Sequence, residues 1–137
     1  MIDYILAYIS VGILGYIIER YFMNKVRLYG DTLNEYLGIK IPFIHIWGLG
    51  GVILLFLYKT FPDDNMIMLS IISGITMSLL ECVVGNISLQ FNGYQTWNYN
   101  NRIQPMCHGY VSMDITLYWI IASYIFFRIC EHIIPKN

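Results

Sequence analysis

Four stretches of this chain run for about 20 residues with scarcely a charge in them, the length an α-helix needs to cross ~30 Å of hydrocarbon. They lie at about 4–23, 41–61, 66–88 and 109–130. None shows a clean polar face. Only 12% of the chain is charged, against roughly 25% in soluble domains, so the sequence lacks the polar surface to face water all round. The runs are too long for membrane β-strands and do not alternate. The expected fold is all-α: one transmembrane domain over residues 1–137, a four-helix transmembrane bundle integral to a membrane, with the lipid bilayer as its first partner.

The first run is not read as a cleavable signal peptide, since no Lys or Arg precedes it and no A-x-A-like site follows. Pro42 is expected in the first turn of the second span, where a missing N–H is harmless. Pro62 and Asp63-Asp64-Asn65 form a turn whose polar residues can cap the third span. Two longer connections remain. Residues 24–40 leave room for a short interfacial helix. Residues 92–108 carry Trp97-Asn98-Tyr99, aromatics suited to the headgroup layer. Arg20, Lys25, Arg27, Lys40 and Arg102 lie on the side of these connections, and Lys59, Arg128 and Lys136 on the other, which favours the connections in the cytoplasm. A net charge of −1 offers no basic field to nucleic acid. Cys82, Cys107 and Cys130 form no CxxC. Cys82 and Cys130 are read as small buried thiols, with no disulfide framework, zinc site or cofactor expected.

Small and acidic residues share helical stripes: Gly12, Gly15 and Glu19 in the first span, and Ser70, Gly74, Ser78, Glu81, Gly85 and Ser88 in the third. Lipid supplies no hydrophobic push between helices, so close approach through small residues is what holds such bundles together. Packing alone accounts for the small residues. The carboxylates need more, because a charge at mid-membrane costs ~2.5–3.5 kcal/mol on insertion scales. Glu19 and Glu81 each sit about 15 residues into spans that run the same way, ~22 Å at 1.5 Å per residue. Asp114, His45 and His108 fall near the starts of the spans that return from that side. Three carboxylates and two imidazoles are therefore expected to converge near one membrane face. Simple pairings compete with this reading, Glu19 with Arg20 and Asp114 with Arg102. The halves also echo one another: Gly12, Glu19, Pro42 and His45 stand opposite Gly74, Glu81, Pro105 and His108, the pattern that duplication of a two-helix hairpin leaves.

Leu80-Glu81, Gly85, Gln90-Phe91-Asn92 and Trp97-Asn98-Tyr99, followed by Gly109 and Trp119, resemble the transmembrane protein 229 family. That group shares its domain with bacterial proteins labelled putative ABC-transporter type IV. Gly15-Tyr16 ahead of Glu19 is similar to the family's Gly-aromatic-x-x-Glu, and Pro42 with Ile46-Trp47-Gly48 to its Pro-x-x-x-Ile-Tyr-Gly. The chain departs from the pattern at Asn98, where the family has Asp, and at Trp47, where it has Tyr. Neither His45 nor His108 belongs to the pattern, while Asp114 stands where some relatives carry Glu. The resemblance implies a multispanning membrane protein without a defined biochemical role.

Three functions compete. The first is a small transporter or permease-like component, homo-oligomeric or joined to a partner membrane protein, with Glu19, Glu81, Asp114 and the Trp97-Asn98-Tyr99 loop as its polar site. No GxxxxGK[ST] loop is present, so a partner or an ion gradient would have to drive it. The second is a structural or assembly protein whose carboxylates only hydrogen-bond between helices. The third is an enzyme acting on a lipid, against which stand the lack of HExxH, of a DxD cluster and of a nucleophile in a recognisable setting.

Overall fold

The computed structural model describes residues 1–19, 21, 33–36, 39–61 and 65–134. Four helices dominate them: α1 (Ile2–Ile18), α2 (Phe43–Thr60), α3 (Met66–Asn92) and α4 (Met113–Ile133). The all-α expectation holds for the mass of the fold. Arg20, Lys25, Arg27, Pro62, Asp63, Asp64 and Lys136, with the sequence readings placed on them, lie outside the described residues.

The described parts of the polar connections hold extended backbone. Each contains a two-stranded antiparallel ribbon that runs straight into the next helix. β1 (Leu33–Tyr36) pairs with β2 (Ile39–Pro42), Leu33 opposite Pro42 and Tyr36 opposite Ile39. β3 (Pro105–Met106) pairs with β4 (Val111–Ser112). So the described part of residues 24–40 is strand, not interfacial helix, as suits its β-branched Ile39 and Ile41. Pro42 ends β2 instead of opening α2, and a strand end tolerates a residue that cannot donate. For the same reason α4 begins at Met113, four residues later than the apolar run at Gly109: a 3-10 turn at Cys107–Gly109 and then β4 intervene. Pro42 and Pro105 therefore occupy different places, one closing a ribbon's second strand and the other opening its first, and the Pro-x-x-His echo has no structural counterpart.

Helix ends follow local chemistry. Asn65 caps α3, its side chain accepting from the Ile67 N–H at 2.9 Å. Gly93 stops the helix with φ +73°, a left-handed conformation that a residue with Cβ rarely adopts.

The helices pack as two antiparallel hairpins, α1 with α2 and α3 with α4, which meet mainly through α2. Gly12 and Gly15 lie against Ile44 and Trp47 of α2, and Gly48 and Gly51 against Tyr8 and Ala7 of α1, so the first hairpin closes on glycine from both sides. The second uses hydroxyls as well: Ser70, Ser73, Gly74, Ser78, Gly85 and Ser88 are buried on α3, and Ser123 on α4. At the end remote from the ribbons, Ala7, Leu54, Leu55, Tyr58, Leu69 and Phe127 form one apolar core, with Tyr58 stacked on Phe127 at 5.9 Å. At the ribbon end Trp97, Tyr99, Tyr110 and Ile115 form another.

Among the described residues α3 and α4 are long and apolar enough to cross a membrane, and only 33% and 22% of their spanning windows are buried within the protein. The other two helices are apolar but shorter. Their outward faces are also hydrocarbon, with Leu14 and Phe56 more than half exposed beside Leu79 and Ile121 of the longer pair.

Candidate functional site: a tryptophan-carboxylate cavity between the hairpins

Glu19 stands one residue beyond the last turn of α1, its backbone N–H still bonded to the Gly15 and Tyr16 carbonyls. It is 3% exposed, and its carboxylate accepts a hydrogen bond from Trp47 Nε1 at 3.3 Å. Trp47 lies in the second turn of α2 with its ring directly over Gly15, where any Cβ would overlap the indole. The second hairpin repeats the pair. Glu81 of α3 accepts from Trp119 Nε1 of α4, again at 3.3 Å. The two indoles meet where the hairpins meet, centroids 5.0 Å apart and planes 35° apart.

Beside them opens a cavity of about 340 Å³. Glu19, Glu81, Trp47, Trp97 and Trp119 all line it, and the rest of its wall is mainly aliphatic side chains of α2 and α3. The chain has three tryptophans, so every one of them borders this space. Leu49 of α2 and Leu80 and Val84 of α3 line it while remaining well exposed, which places its mouth on the lateral face of the bundle.

The 92–108 connection supplies the cavity's third indole. Trp97 is 3% exposed, donates from Nε1 to the Tyr110 carbonyl at 3.1 Å, and meets the Tyr110 ring edge-on at 5.0 Å. Tyr110 in turn lies flat on α3 because Gly85 leaves it the room. Asn98 and Tyr99 do not line the cavity and hold the loop: Asn98 Oδ1 accepts from the Asn100 N–H at 2.6 Å, and Tyr99 N–H donates to the Gly109 carbonyl at 2.7 Å. The sequence set thus divides.

Glu19, Glu81, Trp97 and His45 share the cavity, His45 at its edge with Nδ1 hydrogen-bonded to the Tyr8 hydroxyl. Asp114 is elsewhere, paired with Arg102 at 3.0 Å and accepting from Ser112 Oγ at 2.7 Å, and half-buried like its partner. His108 is also elsewhere, in a left-handed turn (φ +57°) with Nδ1 3.2 Å from Asn86 Oδ1. Of the three carboxylates and two imidazoles expected near one membrane face, two carboxylates and one imidazole share the cavity. The other two groups are held 12 and 22 residues away in sequence, by partners of their own. Among the described residues, no three of His, Cys, Asp and Glu gather as a metal-binding group.

Cys82 is not a free thiol. It is disulfide-bonded to Cys107, Cα atoms 5.8 Å apart, and Asn86 donates to the Cys107 sulfur at 3.1 Å. The connection folds back over the end of α3, and a separation of 25 residues carries no spacing by which sequence could announce it. Trp47 and Trp119 were also missed as site residues. A glutamate with a tryptophan after it stands in each half of the chain, Glu19 with Trp47 and Glu81 with Trp119, but no fixed spacing links the two.

A model of the family described as "Putative ABC-transporter type IV" matches residues 6–137, and the chain belongs to that family. No curated protein and no solved structure matches it.

Proposed function

From that membership we propose that the protein is a multi-pass integral membrane protein, a small transporter or permease-like component, whose working groups are Glu19 and Glu81. The family description and two helices of membrane-crossing length support the setting. So do outward faces of exposed hydrocarbon along all four helices, since a core helix of a soluble protein would be buried. α1 and α2, about 25–27 Å long at 1.5 Å per residue, cross with the local thinning that short spans impose on a bilayer.

The observation that carries the reading is the pair of carboxylates on one cavity, each bonded to the tryptophan of its neighbouring helix. A charge held among hydrocarbon is costly, ~2.5–3.5 kcal/mol at mid-membrane on insertion scales. Two such groups kept on one shared space are more than packing requires. With no nucleotide-binding loop in the chain, movement of a cation or proton through this site is driven by a partner or an ion gradient, and the bundle works as a homo-oligomer or beside a partner membrane protein.

The same hydrogen bonds also fit a purely structural role, and Glu81→Gln separates the two. Gln keeps an oxygen to accept from Trp119 and removes the charge. In vesicles reconstituted with the full chain and loaded with a pH-sensitive dye, Glu81→Gln is expected to lower proton or cation flux at least about tenfold, with the thermal transition of the helices unmoved. Flux and transition both unchanged would leave the carboxylates as interhelical glue.

A further inference from the structure

We propose that the Cys82–Cys107 disulfide is a thiol–disulfide exchange site, opened by a dithiol at Cys82 with Cys107 as the leaving sulfur, and that its opening unseats Trp97 from the cavity wall. Nothing in this depends on what the two carboxylates carry.

The two sulfurs have unlike surroundings. Asn86 lies one turn beyond Cys82 on α3. Its side-chain nitrogen donates to the Cys82 carbonyl at 2.8 Å and to the Cys107 sulfur at 3.1 Å, with the Cys82 sulfur farther off at 3.7 Å. A carbonyl only accepts, so it is the amide nitrogen, not its oxygen, that faces the bond. Of its two hydrogens, one serves the backbone and the other Cys107. The amide oxygen is engaged as well, 3.2 Å from His108 Nδ1. That oxygen only accepts, so the ring nitrogen donates, which polarises the amide toward the sulfur. A hydrogen bond is worth most to the charged form of its acceptor, and this makes Cys107 the better leaving thiolate. Cys82 and Cys107 are half-buried and His108 is exposed, so the bond stands at the surface of the ribbon end, outside both apolar cores.

The exchange moves two electrons. A thiolate of the dithiol attacks the Cys82 sulfur, the Cys82–Cys107 bond breaks, and Cys107 leaves with the electron pair and takes up a proton. The second thiolate of the reagent then attacks the mixed disulfide and frees Cys82, which is protonated in turn. The dithiol ends as a disulfide, and the protein as two thiols.

The bond is also placed to act on the cavity. Gln104, Cys107 and His108 have φ of +47°, +52° and +57°, left-handed conformations in residues that carry a Cβ. Such conformations persist where the surroundings impose them, and the tie from Cys107 to α3 is one such constraint. Tyr110 follows closely and holds Trp97, by its carbonyl at 3.1 Å and its ring at 5.0 Å. Trp97 in turn lines the cavity with Trp47 and Trp119. Cutting the tie lets 104–108 relax, shifts Tyr110 and loosens the cavity's third indole.

The test uses the full chain, air-oxidised, in phosphatidylcholine nanodiscs. Reduced glutathione, a monothiol, traps the mixed disulfide; acid quenching, unfolding and maleimide labelling then precede peptide mass spectrometry. Glutathione is expected on Cys82, with maleimide on Cys107 and on the free Cys130. Dithiothreitol should reduce the folded chain within about tenfold of the rate for the unfolded chain. Asn86→Asp keeps the shape, loses the donor and should slow reduction of the folded chain at least about tenfold. If that variant loses its helical signal, His108→Ala decides, with an expected slowing of about threefold. All three tryptophans border the cavity, so reduction should also shift their emission to the red and raise its quenching by acrylamide about twofold. Glutathione on Cys107 or on neither cysteine overturns the exchange site. So does folded-state reduction about a hundredfold slower than unfolded, or a rate indifferent to these substitutions. Reduction that leaves emission and quenching unmoved overturns the link to the cavity.

Discussion

The two hairpins hold the same pair, a glutamate under an indole, in different surroundings. In the first, α1 and α2 close on glycine from both sides, and Glu19 is 3% exposed at the end of its helix. In the second, α3 and α4 meet through hydroxyls, and Glu81 is half-buried at mid-helix with the disulfide one residue beyond it. Close backbone approach serves both hairpins, Gly74 lying on the Ile120 backbone of α4, and the second adds an interhelical hydrogen bond between Ser78 and Thr116. The difference teaches a division of labour. The glycine hairpin sets the position of its indole by contact, so its geometry has no slack. The hydroxyl hairpin is braced by its connection, so its glutamate can be less enclosed and nearer to whatever enters.

The sharpest way to break this comparison is Gly15→Leu. The nearest atoms to a new Cβ are Cγ, Cδ2 and Cβ of Trp47, not the far end of a flexible chain, so relief requires moving the whole indole or parting the helices. Overpacking of this kind costs about 3 kcal/mol, and here it also removes the Trp47–Glu19 bond. The helical thermal transition in detergent should fall by more than for any single hydroxyl removed from the second hairpin. A transition within about 1 kcal/mol of the parent would end the account of the first interface as glycine-determined.

The next effect belongs to the second hairpin. Cys82→Ser should cost about 2–3 kcal/mol, the usual range for a loop of this size, because it frees the connection that carries Trp97 from α3. Mass spectrometry after maleimide treatment of the unfolded chain gives the direct reading. Without reductant one label is expected, on Cys130, and with reductant three. Three labels without reductant would remove the brace from the comparison. One label in protein taken straight from cells sets the ribbon side on an oxidising face, the reverse of what the five-to-three balance of Lys and Arg favours.

Sequence carried the helices and the carboxylates but not the partners that hold them. Runs without charge mark α1 to α4 because helix formation in an apolar setting follows from length and hydropathy alone. Stripes of Gly and Ser marked the buried faces for the same local reason: i, i+3 and i+4 share a side. The ribbons escaped notice because Ile39–Pro42 and Pro105–Met106 are too short for an alternation to register. Trp47 read only as a departure from the family pattern, since only the antiparallel pairing of α1 and α2 sets it over Gly15. Asp114 shows the opposite limit. Its depth in the fourth run matched that of the glutamates, but Ser112 and Arg102 take both its oxygens at the mouth of α4. Depth along a helix is legible from sequence, and azimuth around the bundle is settled by packing.

The smallest expected effect tests how much the hydroxyls contribute. Thr116 Oγ1 donates to the Ser112 carbonyl at 3.0 Å, so at the 2.8 Å contact between Ser78 and Thr116 the donor is Ser78. The bond therefore links mid-α3 to the first turn of α4, next to the Ser112–Asp114–Arg102 set. Ser78→Ala removes a donor and leaves Thr116 with its own bond intact, so no buried group is orphaned. The loss should be about 0.6 kcal/mol, the average for interhelical hydrogen bonds in membranes. Ser78→Leu keeps the position apolar but forces the helices apart, and should exceed it several-fold. If Ser78→Ala matched Ser78→Leu, the hydroxyl and not the small volume would be holding α3 to α4, and the second hairpin would be more strictly polar than its glycines suggest. If Ser78→Ala changed nothing, both hairpins would rest on close approach alone, and the contrast between them would reduce to the disulfide.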